Sequence, residues 1–331
     1  MEGNFKIFCL KNLIGDIISD DGKHDKNVQQ RKNKGLGIIS QVMQILESVF
    51  FGKYYFEVAL VLRSSLLLSS MLLNSEAWVN LTDNNIRALE QTDEILLSKI
   101  LDCEANTSNV VKYLELGVCP IRFEIMKRKL LFLHYLQQQD KSSMIFQVFQ
   151  ATLANPTKND FVENCKEYMN TLGLNLTLDK FGELSNWRVK KLIKEKTSKA
   201  AFIYLMEIKK KQSKIVNLKY DRLEIQEYLV DGNRNTQLSK IIFKARSLTL
   251  DIKLHKKWKF KDTICVGCGE REESGEEILK CDGFDKEREE EVPKEMKYSN
   301  FFDGTSSQMV ELAQIIKKRL KVREKIMEET V

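Results

Sequence analysis

Ile38, Ile39, Val42, Ile45, Leu46 and Val49 recur at steps of three and four residues, which places them on one face of a helix ending before Gly52. Tyr55 to Leu73 is apolar on most sides and reads as a helix enclosed by the core. Thr82 or Asp83 caps the next helix, whose Ile86, Leu89, Leu96, Leu97, Ile100 and Leu101 keep the period to about Asp102. Gly117 stops a shorter one. Pro120 opens the helix carrying Phe123, Met126, Leu130, Leu133 and Leu136, because a missing N–H costs nothing in a first turn. Ser142 and the run Lys158-Asn159-Asp160 start two more, on either side of Asn155-Pro156. Strand character is confined to Leu13-Ile14-Gly15-Asp16-Ile17-Ile18, followed by a turn at Asp21-Gly22. The pattern predicts a mainly α protein, and neither helix lengths nor intervening residues repeat.

Beyond Leu176 apolar residues thin out and lysines accumulate, with Trp187, Phe202, Tyr204, Tyr220, Tyr228 and Trp258 among them. Such aromatics stack on bases beside phosphate-binding lysines, or form a core stripe. Arg188 to Lys261 holds 21 Lys/Arg against 7 Asp/Glu, whereas Asp262 to Glu295 holds 5 against 13. A polyanion-binding surface and a solvated helix face both fit this basic stretch, and composition leaves the two open. From Ser306 to Val331, Met309, Leu312, Ile315, Ile316, Leu320 and Ile326 predict an amphipathic helix in need of a partner surface. Five segments result: a strand or hairpin at 1–26, a helical domain at 27–176, a basic helical connector at 177–262, a small cysteine element at 263–290, and an acidic linker with a final helix at 291–331.

A chain of 331 residues with 43% hydrophobic content is not mainly disordered. Cys9, Cys103, Cys119 and Cys165 stand singly, so no disulfide framework is expected and an intracellular, reducing compartment is. Met1 to Asn12 lacks the apolar core of a signal peptide, and Phe56 to Leu73 carries Glu57, Arg63 and several serines, so no membrane span or membrane partner is expected. Phosphate-loop, nucleophile-elbow, metalloprotease and dinucleotide fingerprints are absent from the sequence. Of the three histidines, His24, His134 and His255, His134 sits among Leu130, Leu131 and Leu133 and reads as structural. Asp20-Asp21 precedes Gly22 and reads as a polar turn rather than a Mg²⁺ site, leaving no catalytic residue to name.

Cys265, Cys268 and Cys281 have the spacing of three zinc ligands, and Glu277 stands where a fourth is required. Structural zinc sites usually complete such a set with cysteine or histidine, so a carboxylate here predicts a degenerate site with weak or lost zinc binding.

The order Leu13-Ile14-Gly15-Asp16-Ile17-Ile18, then Arg31-Lys32-Asn33-Lys34-Gly35, resembles the strand and helix just past the palm in reverse transcriptases of non-LTR retrotransposons. Arg63-Ser64-Ser65-Leu66-Leu67, Leu73-Asn74-Ser75-Glu76-Ala77-Trp78, Leu89-Glu90 with Asp93, Glu115-Leu116-Gly117 with Pro120-Ile121-Arg122-Phe123, and Arg128-Lys129-Leu130 with His134 are similar to that family's thumb. Phe243-Lys244, Arg246-Ser247 and Trp258-Lys259-Phe260 lead into the cysteines like the segment before its terminal zinc knuckle. The resemblance spans roughly residues 11 to 285 and implies a thumb-like domain at 27–176 and a knuckle at 263–290. It also implies a grip on RNA or an RNA/DNA hybrid by Lys190, Lys191, Lys194, Lys209, Lys210, Lys211, Lys244, Arg246, Lys256, Lys257 and Lys259. The family's polymerase carboxylates precede the Leu-Gly segment, and Met1 to Leu10 contains no aspartate, so RNA-directed DNA polymerase activity and Mg²⁺ belong to an intact family enzyme and not to this chain alone. The family's knuckle has histidine where this chain has Glu277. Two other readings remain: a longer active reverse transcriptase cut short by its gene model, and a helical protein-interaction scaffold.

Overall fold

The computed structural model describes residues 11–13, 16–17, 24–48, 52–79, 81–155, 157, 160–230, 235–284 and 296–329. The protein is mainly α, as the periodicity predicts. It divides into two compact units, each assembled from separated stretches: Met1–Ile45, Val61–Leu96 and Cys119–Tyr204 form the first, and Leu46–Leu60, Leu97–Val118 and Leu205–Val331 the second. The five linear segments are therefore distributed over both units, with 177–204 in the first and 205–262 in the second.

In the first unit, Lys11–Leu13 pairs antiparallel with Asp16–Ile17, Lys11 facing Ile17 and Leu13 facing Asp16. The run from Leu13 to Ile17 is thus two short strands rather than one, and Asp20, Asp21 and Gly22 lie outside the described residues. Helix Asp25–Ser48 follows. A Cβ on Gly35 would stand 2.9 Å from the Thr92 methyl and 3.3 Å from the Met71 sulfur, so glycine permits close approach there. Val28, Leu68, Met71, Leu72, Trp78, Leu89, Ile121 and Ile125 form one buried cluster.

Tyr55–Leu62 is α-helical, Arg63–Leu68 is a π-helical stretch, and Ser69–Met71 returns to α, a departure from the uniform helix expected. Ser64 and Ser65 hydroxyls both donate to the Val61 carbonyl, at 2.9 and 2.8 Å, satisfying that one backbone acceptor just ahead of the widened stretch. Arg63 is held at that stretch by two 2.7 Å bonds to Asp93 and one of 3.1 Å to the Cys119 carbonyl. Downstream, Thr82 accepts from the Asn85 N–H ahead of helix Asp83–Leu101, and Pro120 is the N-cap of Ile121–Gln137. Ser143, not Ser142, caps Met144–Ala154, and Asp160 caps Phe161–Thr171. His134 is buried, its Nε2 2.8 Å from the Leu184 carbonyl, which makes it structural.

Charged residues of the thumb-like strings are paired inside this unit. Arg122 bonds Glu90 through two contacts of 2.8 and 3.0 Å. Lys129, fully buried, donates to the Trp78 carbonyl and, at 2.6 Å, to Asn164 Oδ1. Burial lowers its pKa from 10.5 to about 8. Between those values the unfolded chain holds a proton that the folded one has released, so this group's contribution to stability rises with pH across that window and is complete above it. Wild type should therefore gain on the order of 3 kcal/mol relative to Lys129→Met on crossing the window. Urea denaturation of both proteins on either side of it checks this, and parallel pH profiles would refute it.

In the second unit, Glu115 is the hub. Its carboxylate accepts from Tyr220 Oη at 2.6 Å and Arg246 Nε at 2.8 Å, while Arg246 Nη1 donates to the Phe301 carbonyl at 2.6 Å. Gly117, at φ +63°, ends helix Asn109–Leu116 where Leu116 bridges to Ile225; a Cβ there would fall 2.1 Å from the Ile225 nitrogen. The last helix, Ser306–Glu329, buries Leu312, Ala313, Ile316, Arg319 and Arg323, and its partner surface includes helices Thr236–Arg246 and Gly275–Lys280. The amphipathic tail thus finds within this unit the surface its sequence requires.

Candidate metal centre and basic surfaces

Residues 263–273 turn back on themselves. Ile264 bridges antiparallel to Glu272, Cys265 N donates to the Arg271 carbonyl at 2.7 Å, and Glu273 N to that of Thr263 at 2.7 Å. Inside this hairpin Gly269 N bonds the Cys265 carbonyl at 2.8 Å, closing the Cys-x-x-Cys turn, with Gly269 at φ +71°. Ser274 then caps the short helix Gly275–Lys280 by accepting from Glu277 N, which sets Glu277 in its first turn and Cys281 just past its end. Gly267 and Gly283 let the two cysteine loops meet: a Cβ on Gly283 would lie 2.2 Å from the Gly267 carbonyl, and one on Gly267 would lie 3.0 Å from Cys281 Sγ.

The four donor atoms of Cys265, Cys268, Glu277 and Cys281 consequently lie within 4.8 Å of one another. Cys265 Sγ is 3.7 Å from Cys281 Sγ, and Cys268 Sγ is 3.4 Å from Glu277 Oε1. Zinc bond lengths of about 2.3 Å to sulfur and about 2.0 Å to oxygen, arranged tetrahedrally, require edges of about 3.8 Å between two sulfurs and about 3.5 Å between sulfur and oxygen. These two distances match such edges, and with all four donors within 4.8 Å of one another the cluster could hold a metal ion. Burial raises the pKa of the Cys265 thiol and pushes that of Cys281 up to about 12, whereas the backbone N–H groups of Arg271 and Glu270 lower that of exposed Cys268. The loops are held from behind. Glu273 accepts from Arg323 Nε and Lys253 N, both at 2.8 Å, and Arg319 donates to the Ile278 and Cys281 carbonyls at 3.0 and 3.2 Å.

The basic residues are less uniform than their sequence suggests. In the first unit, Lys190, Lys191 and Lys194 are exposed on helix Asn186–Lys210, and the Lys191 ammonium lies 5.2 Å above the Trp187 ring. In the second unit, Lys210, Lys211, Lys257 and Lys259 are exposed, but Lys210 pairs with Glu207 at 2.7 Å and Lys259 with Glu104 at 3.3 Å. Lys209 is buried, donating to the Val216 carbonyl at 2.8 Å. Arg246 is buried on Glu115, and Lys256 is buried between Glu104 and Asp251 at 3.0 and 2.9 Å. Lys244 pairs with Asp102 at 2.8 Å. Lys209, Arg246 and Lys256 are thus occupied within the fold in ways a linear charge count cannot show. Of the aromatics, Tyr220 and Tyr228 are core, while Trp187 and Trp258 are 68% and 60% exposed. Lys214 was not singled out by the sequence pattern; it is exposed close to Lys211, and only the fold gives it a neighbourhood.

No protein-family model matches the chain, and neither does any curated protein or solved structure. Fold and site together define a mainly helical protein whose Cys265, Cys268, Glu277 and Cys281 could hold a metal ion. No helix among the described residues is long and apolar enough to cross a membrane.

Proposed function

We propose that this chain grips the sugar-phosphate backbone of RNA or an RNA/DNA hybrid, as the thumb and C-terminal part of a non-LTR-type reverse transcriptase would, and that Zn²⁺ orders its knuckle. The observation that carries the reading is the face of helix Asn186–Lys210 bearing Trp187, Lys190, Lys191 and Lys194 at helical spacing, all exposed. None of the three lysines forms an ion pair among the described residues, so their charge is available to phosphates, and Trp187 offers a stacking face. The role is affinity without sequence readout, because backbone contacts carry no base information.

Binding to single-stranded or hybrid nucleic acid should weaken steeply with salt, log K falling by about 0.7 to 0.9 per phosphate neutralised. Replacing Lys190, Lys191 and Lys194 together by Gln should flatten that slope by about this amount for each lysine that contacts a phosphate, equally for all sequences. Binding with an unaltered slope would place the grip elsewhere. No binding by the wild type would favour the scaffold reading, which the exposed Met144, Ile145 and Val148 of helix Met144–Ala154 also support.

A further inference from the structure

The second unit contains a cavity of about 460 Å³ that the metal centre does not use. Its wall comes from Asn106 to Ser108, from Lys211 to Ile215, from Ser247 to Thr249, and from His255 and Trp258. Two exposed lysines, Lys211 and Lys214, stand on it, and no carboxylate does. Neither lysine forms an ion pair among the described residues, in contrast to Lys244, Lys256 and Lys259. The cavity is therefore a local excess of positive charge, which calls for an anion.

Other features of the wall point to a ligand. Thr107 is only 3% exposed, and its hydroxyl finds no nitrogen or oxygen partner among the described residues, its neighbour being the Cys103 thiol. His255 Nδ1 is likewise buried without a partner. Buried polar atoms of this kind are costly unless something completes them. Ser108 precedes helix Asn109–Leu116 but does not cap it, because its hydroxyl is spent on Gln212 Oε1 at 2.6 Å. The N–H groups of that helix's first turn therefore lack the side-chain acceptor a cap would give. Leu248 holds φ +54°, a left-handed conformation costly for a branched side chain and one that tends to occur where a site is being shaped.

Trp258 decides the class of anion. It is 60% exposed on the wall of a cavity otherwise lined mainly by polar and basic groups, so it is a free aromatic face beside an anion site. Inorganic phosphate has no use for such a face, and an apolar ligand has none for the lysines. We propose that this cavity receives one nucleoside monophosphate unit, its phosphate held between Lys211 and Lys214 and its base stacked on Trp258. The inference deepens the nucleic-acid reading and rests on it: the unit is one nucleotide of a single strand, where base faces are free to stack.

Calorimetric titration of the full chain tests it with a nucleoside monophosphate, the nucleoside, inorganic phosphate and a short single-stranded oligonucleotide. The monophosphate should bind about tenfold or more tightly than either of its halves, and the oligonucleotide should bind more tightly still and displace it. Lys211→Gln with Lys214→Gln should weaken the monophosphate about tenfold, and Trp258→Ala by a similar factor, while Trp258→Phe retains most of the affinity. These side chains are exposed, so their replacement leaves the core intact. Unchanged monophosphate affinity in the double Gln or Trp258→Ala variant overturns the proposal. An oligonucleotide that fails to displace the monophosphate assigns the cavity to free nucleotides and overturns its place in strand recognition. If monophosphate binding is absent while salt-dependent polymer binding persists, the cavity is wrong and the lysine face of the first unit stands. If the wild type binds no polymer, the underlying reading fails.

Discussion

Arg246→Met will cost about 3 to 5 kcal/mol, because it leaves the Glu115 carboxylate buried without its counter-ion. That is a large part of the 5 to 15 kcal/mol by which a typical domain is stable (range about this wide). Glu115 and Arg246 have side chains 0% and 3% exposed, and the same carboxylate oxygen also accepts from Tyr220. Burial, and after it the Glu115 charge, holds the Tyr220 phenol protonated well above its ordinary range, so Tyr220 remains a donor to Glu115 throughout neutral pH. Glu115→Gln should restore part of the loss in the Arg246→Met background, since the stranded charge is then removed. Urea unfolding of the two variants measures both effects; a loss below about 1 kcal/mol in Arg246→Met would contradict the assignment of this pair as a fold determinant. Any loss of nucleic-acid binding in Arg246→Met should follow the unfolded fraction and leave the salt slope of the folded fraction unchanged. That outcome separates Arg246 from the exposed lysines.

On the proposed reading in which Zn²⁺ orders the knuckle, one equivalent should remain with the purified chain at Cys265, Cys268, Glu277 and Cys281, whereas a degenerate site would lose it. Metal affinity is folding free energy for a small element of this kind, about 10 kcal/mol or more for structural zinc at neutral pH. Chelation should therefore loosen residues 263–284, read as loss of amide protection there, without unfolding the first unit. Glu277→Ala should weaken zinc more than tenfold and Glu277→His should tighten it, because imidazole is the usual partner of three thiolates (about 2.0 Å to nitrogen). Affinity should fall as pH is lowered, since thiolates must lose protons to bind. A chain that gives up its zinc to a mild chelator as readily as the Glu277→Ala variant would remove Glu277 from the ligand set and bear out the expectation of a degenerate site.

How much was legible in the sequence differs from element to element. Gly117, Pro120, the Thr82 cap and the three-four spacing from Ile38 to Leu46 and from Ile86 to Leu101 placed helices well, because helix ends are set by local chemistry within one turn. The spacing of Cys265, Cys268 and Cys281 located the candidate metal centre for the same reason: the residues that could hold an ion lie within one short hairpin and helix. The π stretch at Arg63 was not visible in the apolar pattern, and neither was the pairing of Arg63 with Asp93, thirty residues away.

Local order, turn chemistry and the cysteine cluster were thus determined by residues near one another in the chain, where the number of competing conformations is small. Tertiary structure alone decided which charges are spent. The linear count treats Lys190 and Arg246 alike, yet one is solvated and the other is buried against Glu115, because burial makes an unpaired charge prohibitive and so selects its partner across 131 residues. The same folding gathered Thr107, Lys211, Lys214, His255 and Trp258 around one cavity, a grouping no sequence period encodes because its members belong to separate segments of the chain.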